Sequence, residues 1–182
     1  MDFTSLKGRL LVATPEMADP NFLGTVVLLL EHGPQGGLGL VLNRPTMTPL
    51  RSPLPDWSSL ASAPATIFRG GPVEPTAVIG LARAEAMPDD RWSPVLPGLG
   101  VVDLRSAPGD AVIQALRVFS GYAGWGAAQV EGELSAGGWL VTDSAPGDAF
   151  SASPDALWHE AVRRPPHGPS WLAGHRPPAI SN

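Results

Sequence analysis

The sequence predicts a single α+β domain in which strands outnumber helices. Three observations carry that prediction. Short apolar runs rich in leucine and β-branched residues recur along the chain, each bounded by turn-forming residues. Helical periodicity emerges only late, near residues 126–136 and 153–164. Strand and helix patterns do not alternate and no internal repeat is present, so a doubly wound parallel sheet does not fit.

In order along the chain, "GRLLVAT" (8–14) and "TVVLLLE" (25–31) read as buried strands. Between them Asp19 and Pro20 read as the cap and first position of a single helical turn that Gly24 closes. "GLGLVLN" (37–43) is a third strand whose alternating glycines leave one face nearly bare, which lets another backbone come close. Pro45, Pro49, Pro53 and Pro55 exclude a long helix from 44–56, and a short one is expected over 57–61. "ATIFRGG" (65–71) and "AVIGLAR" (77–83) are strands, 84–98 is loop, and "LGVVDL" (99–104) is again strand. "GDAVIQA" (109–115) is weakly helical, and "LRVFSGYAG" (116–124) returns to strand. The strongest helix begins at 126, with Ala127, Val130 and Leu134 on one apolar face and Gly137–Gly138 as its stop. "WLVTDS" (139–144) is a strand, and residues 153–164 form a helix capped by Ser153 with Pro154 at its first position. Residues 1–164 are thus expected to be the folded domain. Residues 165–182 are expected to be a flexible proline-rich tail, with Trp171 and Leu172 able to dock.

Composition narrows the function classes. At 182 residues and 43% hydrophobic content the chain needs no covalent staple, and with no cysteine it has neither disulfide nor thiolate zinc site. Its 21 glycines and 21 prolines fall just under the roughly 25–30% that marks low-complexity chains. The net charge of −5 and twelve scattered basic residues give no nucleic-acid footprint. The longest apolar run, "FLGTVVLLL", is far below the ~20 residues of a membrane span, and 10–13 is too short for a signal-peptide core, so a cytoplasmic location is expected.

Most motif matches fail on chemistry. "EHGPQGGLGLVLNRP" (31–45) lacks the third glycine of a dinucleotide loop at Leu42 and is followed by strand rather than helix. It reads as a hairpin turn. Glu31 and His32 are neighbours on a strand and point to opposite faces, so His32 reads as a strand-end residue bonded to backbone. His159-Glu160 begins a zinc-protease string that ends in Arg163 instead of histidine, and "GELSAG" has Glu133 where a nucleophile elbow needs glycine. Two features remain. "FRGGPVEP" sets Arg69 beside Gly70 and Gly71, either as an anion-binding nest or as a glycine turn with a surface arginine. Trp125, Gln129 and Glu133 fall at i, i+4, i+8, either as a small pocket or as side chains bonding nearby loop backbone.

Taken in register, Asp19-Pro20-x-Phe22, Glu31-His32, Asn43-Arg44-Pro45, Gly70-Gly71-Pro72-Val73 and Gly121-Tyr122-Ala123-Gly124-Trp125 resemble the YqgE/AlgH family of bacterial proteins, from about Gly8 to Arg163. The resemblance implies a forked, barrel-like, mostly antiparallel β-sheet with peripheral helices. It implies no established reaction. A transcriptional-regulator label that some members carry gains nothing from these residues, which show no helix-turn-helix pattern. Ala82 stands where members often have histidine, so any chemistry of that histidine would be missing here.

The residues point to a non-catalytic protein that binds a small ligand or a protein partner. The candidate contacts are Asn43, Arg44, Arg69, Gly70, Gly71, Tyr122, Trp125, Gln129 and Glu133. No catalytic residue, metal, cofactor, nucleic acid or membrane is implied. Two alternatives stand beside this reading. One is an enzyme on a small anionic substrate, with Arg44 or Arg69 holding the anion and Glu133 or His32 moving a proton. The other is a DNA-binding regulator, disfavoured by charge.

Overall fold

The computed structural model describes residues 3–86, 90–109 and 112–164. Ten strands form one sheet: β1 (Arg9–Ala13), β2 (Val26–Gly33), β3 (Gly36–Val41), β4 (Pro45–Pro49), β5 (Thr66–Arg69), β6 (Val73–Ala84), β7 (Trp92–Leu96), β8 (Leu99–Val102), β9 (Ile113–Trp125) and β10 (Trp139–Asp143). Among the described residues three short helices, α1 (Pro55–Ser58), α2 (Gln129–Ser135) and α3 (Pro154–Val162), and a 3₁₀ turn at Asp148–Phe150 lie around it. The main path runs β10-β1-β2-β3-β9-β6-β8-β7, antiparallel throughout. The result is a curled half-barrel of one α+β domain, as the sequence and the resemblance imply.

The fork lies on β9. Its last residues, 123–125, pair with β3, whereas Val118–Ser120 pair in parallel with β5 on that edge and with β6 on the other. Beyond Gly39 the third strand leaves β9, and Gly70 fills the gap: its N–H donates to Ser120 O at 2.9 Å and its carbonyl accepts Val41 N–H at 2.8 Å. A Cβ at Gly70 would stand 2.3 Å from Gly121 O, and one at Gly71 2.2 Å from the Tyr122 carbonyl. The glycine pair is what lets two backbones cross this closely.

β1 and β2 read as unbroken apolar runs because both of their faces are covered. Leu10, Val12, Val26 and Leu28 enter the main core with Phe68, Phe119 and the α3 residues Leu157 and Ala161. The alternate residues Leu11, Ala13, Val27 and Leu29 enter a second core with Val130 and Leu134 of α2. A third cluster puts Trp57 of α1 against Ala82, Trp92 and Leu116. Ala82 is therefore a wholly buried packing residue.

Several expectations need correction. Residues 84–98 are not all loop, because Trp92–Leu96 pairs with β8. Pro94 hides that strand, and it is tolerated because β7 is the terminal strand of the path. The weak helix over 109–115 is overturned from Ile113 onward, where β9 pairs with Ala84 of β6, while 110 and 111 lie outside the described residues. The strongest helix starts at Gln129 rather than 126, because Ala128 sits in the left-handed region (φ 61). Ala127 is therefore exposed and does not join Val130 and Leu134. Its stop is as expected: Gly137 has φ 83, and Gly138 N–H reaches Glu133 O at 3.1 Å. The proposed tail, with Trp171 and Leu172, lies outside the described residues.

Candidate functional site

Trp125, Gln129 and Glu133 do come together, but not as a stripe on one helix, since Trp125 ends β9. Glu133 Oε2 accepts the indole N–H of Trp125 at 2.8 Å and that of Trp139 at 2.9 Å. Its Oε1 accepts Gln129 Nε2–H at 3.1 Å, and Gln129 Oε1 accepts Gly126 N–H at 3.0 Å. The Phe22 ring lies 5.9 Å from Trp125 and 5.5 Å from Trp139. Trp125 reaches this place because Gly39 beneath it has no side chain: a Cβ there would stand 3.3 Å from Cζ3. The carboxylate thus ties β9, α2 and β10 together, and its acceptors are taken up by the protein itself. Of the alternatives read from sequence, backbone bonding holds for Gln129, whereas Glu133 bonds side chains.

His32 is the second tie to α2. Its Nδ1 accepts Leu6 N–H at 2.8 Å, which leaves the ring proton on Nε2, and Nε2 donates to Glu131 at 2.7 Å. The expected backbone bond is present, and it fixes the tautomer. Phe3 lies 4.9 Å from the ring and Ser5 Oγ–H donates to His32 O at 2.8 Å, so the histidine anchors residues 3–6.

Glu31 turns the other way, and a bulge explains how. Leu29 pairs with Gly39 and Glu31 with Leu38, so Leu30 is an extra residue on β2. Such a bulge bends the strand and re-aims the side chains beyond it. Leu30 and Glu31 both border a hollow of about 220 Å³ whose other walls are Leu38, Ile79, Ser93, Pro94, Val95 and Val101. A more open hollow of about 450 Å³ along the hairpin loop shares Glu31 and Leu38 and adds Lys7 and His32. No sequence signal marks this cleft, because the bulge and β7 are both invisible in the residue pattern.

The polar string near residue 43 is partly structural. Asn43 Oδ1 accepts Val26 N–H and its Nδ2 donates to Gly24 O, each at 3.0 Å. Arg44 donates to Asn21 O at 2.6 Å and Leu23 O at 3.1 Å, clamping the turn that Asp19 caps through Asn21 N–H. Arg69 lies beside Arg44 and is exposed. Burial, then Arg69, pushes the Arg44 guanidinium below its ordinary value, with Asp19 opposing. Gly70 has its N–H bonded within the sheet, and Tyr122 packs on the main core.

One buried cation has no counterpart among the residues singled out from the sequence. Arg117 is 2% exposed, with the Ser62, Ala63, Ala149 and Ser151 carbonyls as acceptors and the Phe68 ring 4.2 Å from its Cζ. Burial pushes it down to about 10, so it stays charged at neutral pH. Among the described residues no three His, Cys, Asp or Glu side chains cluster to hold a metal, and no helix is long and apolar enough to cross a membrane.

Comparison with known proteins decides the kinship. A family model described as AlgH-like matches residues 10–169. The chain belongs to the AlgH-like family. A UPF0301 protein of Streptomyces coelicolor is 47% identical over 171 residues, covering 90% of this chain and 88% of the relative. A UPF0301 protein of Thermobifida fusca is 41% identical over 181 residues, covering 90% and 89%. Among solved structures, the crystal structure of protein DIP2367 from Corynebacterium diphtheriae superposes with a TM-score of 0.81 at 25% identity, covering 94% and 91% of the two chains. The solution structure of the AlgH protein from Pseudomonas aeruginosa gives 0.68 at 30%, covering 98% of each. These AlgH-like relatives confirm the half-barrel and carry no reaction in their names.

Proposed function

We propose that this AlgH-like protein is a non-catalytic binding protein whose cleft beside Glu31 takes an apolar group joined to an amine. One observation carries the reading: the bulge at Leu30 turns the exposed Glu31 carboxylate onto the rim of a mostly apolar hollow of about 220 Å³, in which Ser93 is the other polar side chain. Among the described residues no ion pair is formed by Glu31. A hollow of that size holds one aromatic or branched side chain, and a carboxylate at its mouth selects a cation next to it. The internal bonds of Glu133 and His32 argue against either as a proton carrier, and this favours binding over turnover.

The test is an NMR titration of the full chain with phenethylamine and, separately, phenylacetate. The amine should shift the resonances of Leu30, Leu38, Ile79 and Val101, and Glu31→Gln should weaken it by up to about fivefold, the scale of an exposed ion pair. Equal response to the acid, or no response at those residues, would reject the site.

A further inference from the structure

A row of side chains crosses four adjacent strands on the side of the sheet away from Phe68. Arg69 N–H donates to Arg44 O at 2.8 Å, extending the β4–β5 pairing by one residue. Arg69 is in register with Ser120 of β9, and Ser120 with Val78 of β6. Phe68 and Ile79 face the main core, so their neighbours Arg69 and Val78 face outward, and Val78 is 50% exposed. Adjacent strands lie about 4.8 Å apart, which puts Arg44, Arg69 and Ser120 on three successive strands within about 10 Å.

Two like charges opposite each other across a strand pair work against the fold. Here Asp19 offsets them only in part. Among the described residues the Arg69 guanidinium has no hydrogen-bonding or ionic partner, and Arg44 feels Arg69 more strongly than it feels the acid Asp19. Arg44 has five N–H donors and three engaged at most, on Asn21 O, Leu23 O and a long contact to Pro20 O. Donors are therefore left over on a guanidinium that the turn holds in place. The Ser120 hydroxyl likewise has no partner among the described residues.

We propose that Arg44, Arg69 and Ser120 form a binding site for a doubly charged oxyanion of the phosphate-monoester kind. Two guanidinium groups and a hydroxyl supply the charge and the donors that a phosphoryl group's oxygens accept. A monocarboxylate would leave one cation uncompensated. The site lies on the opposite side of the sheet from the cleft beside Glu31, so either can fail without the other.

The experiment titrates the full chain with phenyl phosphate, inorganic phosphate and acetate, following backbone amides and arginine Nε–Hε signals. Both phosphates should saturate, move the Arg44 and Arg69 signals together, and bind more tightly than acetate. Arg69→Gln should weaken phenyl phosphate about tenfold or more, and Arg69→Lys less. Because Arg69→Gln removes a repulsion, its Tm in phosphate-free buffer should not fall below that of the wild type, which keeps misfolding from passing as lost binding. Unchanged affinity in Arg69→Gln, equal binding of acetate, or shifts confined to other residues would each overturn the proposal.

Discussion

Glu133 offers the sharpest check on how α2 is held. Replacing it with alanine strands two indole N–H groups, those of Trp125 and Trp139, on residues only 6% and 3% exposed. A buried donor left without an acceptor costs about 1–3 kcal/mol. Two would cost about 2–6 kcal/mol, and the partial exposure of Glu133 lets water replace some of the loss, which points to about 2–4 kcal/mol. In a domain of this length that lowers Tm by about 4–16 °C. Glu133→Gln keeps an oxygen for both indoles but sets its amide against Gln129, and should cost about 1–2 kcal/mol. Urea unfolding read by tryptophan fluorescence and by far-UV circular dichroism measures both. An alanine variant within about 0.5 kcal/mol of wild type, with unchanged m-value, would refute the view that this carboxylate braces the helix.

Two glycines should respond in opposite directions. Gly132, inside α2 with open space where a Cβ would go, should gain about 0.5–1 kcal/mol on Gly132→Ala. Gly71→Ala, with φ 154 and a Cβ 2.2 Å from the Tyr122 carbonyl, should lose about 3 kcal/mol or more, and comparable Tm values for the two variants would contradict the fork geometry. Asp103 is held at about 2 by side-chain and backbone hydrogen bonds from Arg105. Its folded value is depressed, so what it lends to the local loop is complete above the ordinary carboxylate range and drains away as pH falls through about 2. A carbon-13 titration midpoint near the ordinary 3.8 would remove that contact.

The architecture was legible where one residue pattern admits one environment. Leu10–Ala13 and Val26–Leu30 are apolar at every position, short and bounded by turn residues, as suits a strand covered on both faces. Ser153-Pro154 marked the start of α3, and Asp19-Pro20 the capped turn. What stayed hidden depends on partners distant in sequence. β7 exists because β8 is there to pair with it, and Pro94 alone argues against it. Trp125 looked helical because it precedes a helix by only three residues, 126–128, the last of them the left-handed Ala128. The candidate sites were half legible: the motif string singled out Arg44 and Arg69 as candidates, but the direction of Glu31 is set by one inserted leucine, and no pattern announces Arg117.

That arginine has a consequence for how the molecule assembles. Its acceptors come from the chain before β5 and from the 3₁₀ turn before α3, segments far apart in sequence. Until both have arrived, the cation on β9 lacks part of the carbonyl shell that replaces its water. Loosening either segment therefore exposes the same buried charge, which ties the stability of the chain before β5 to that of the turn before α3.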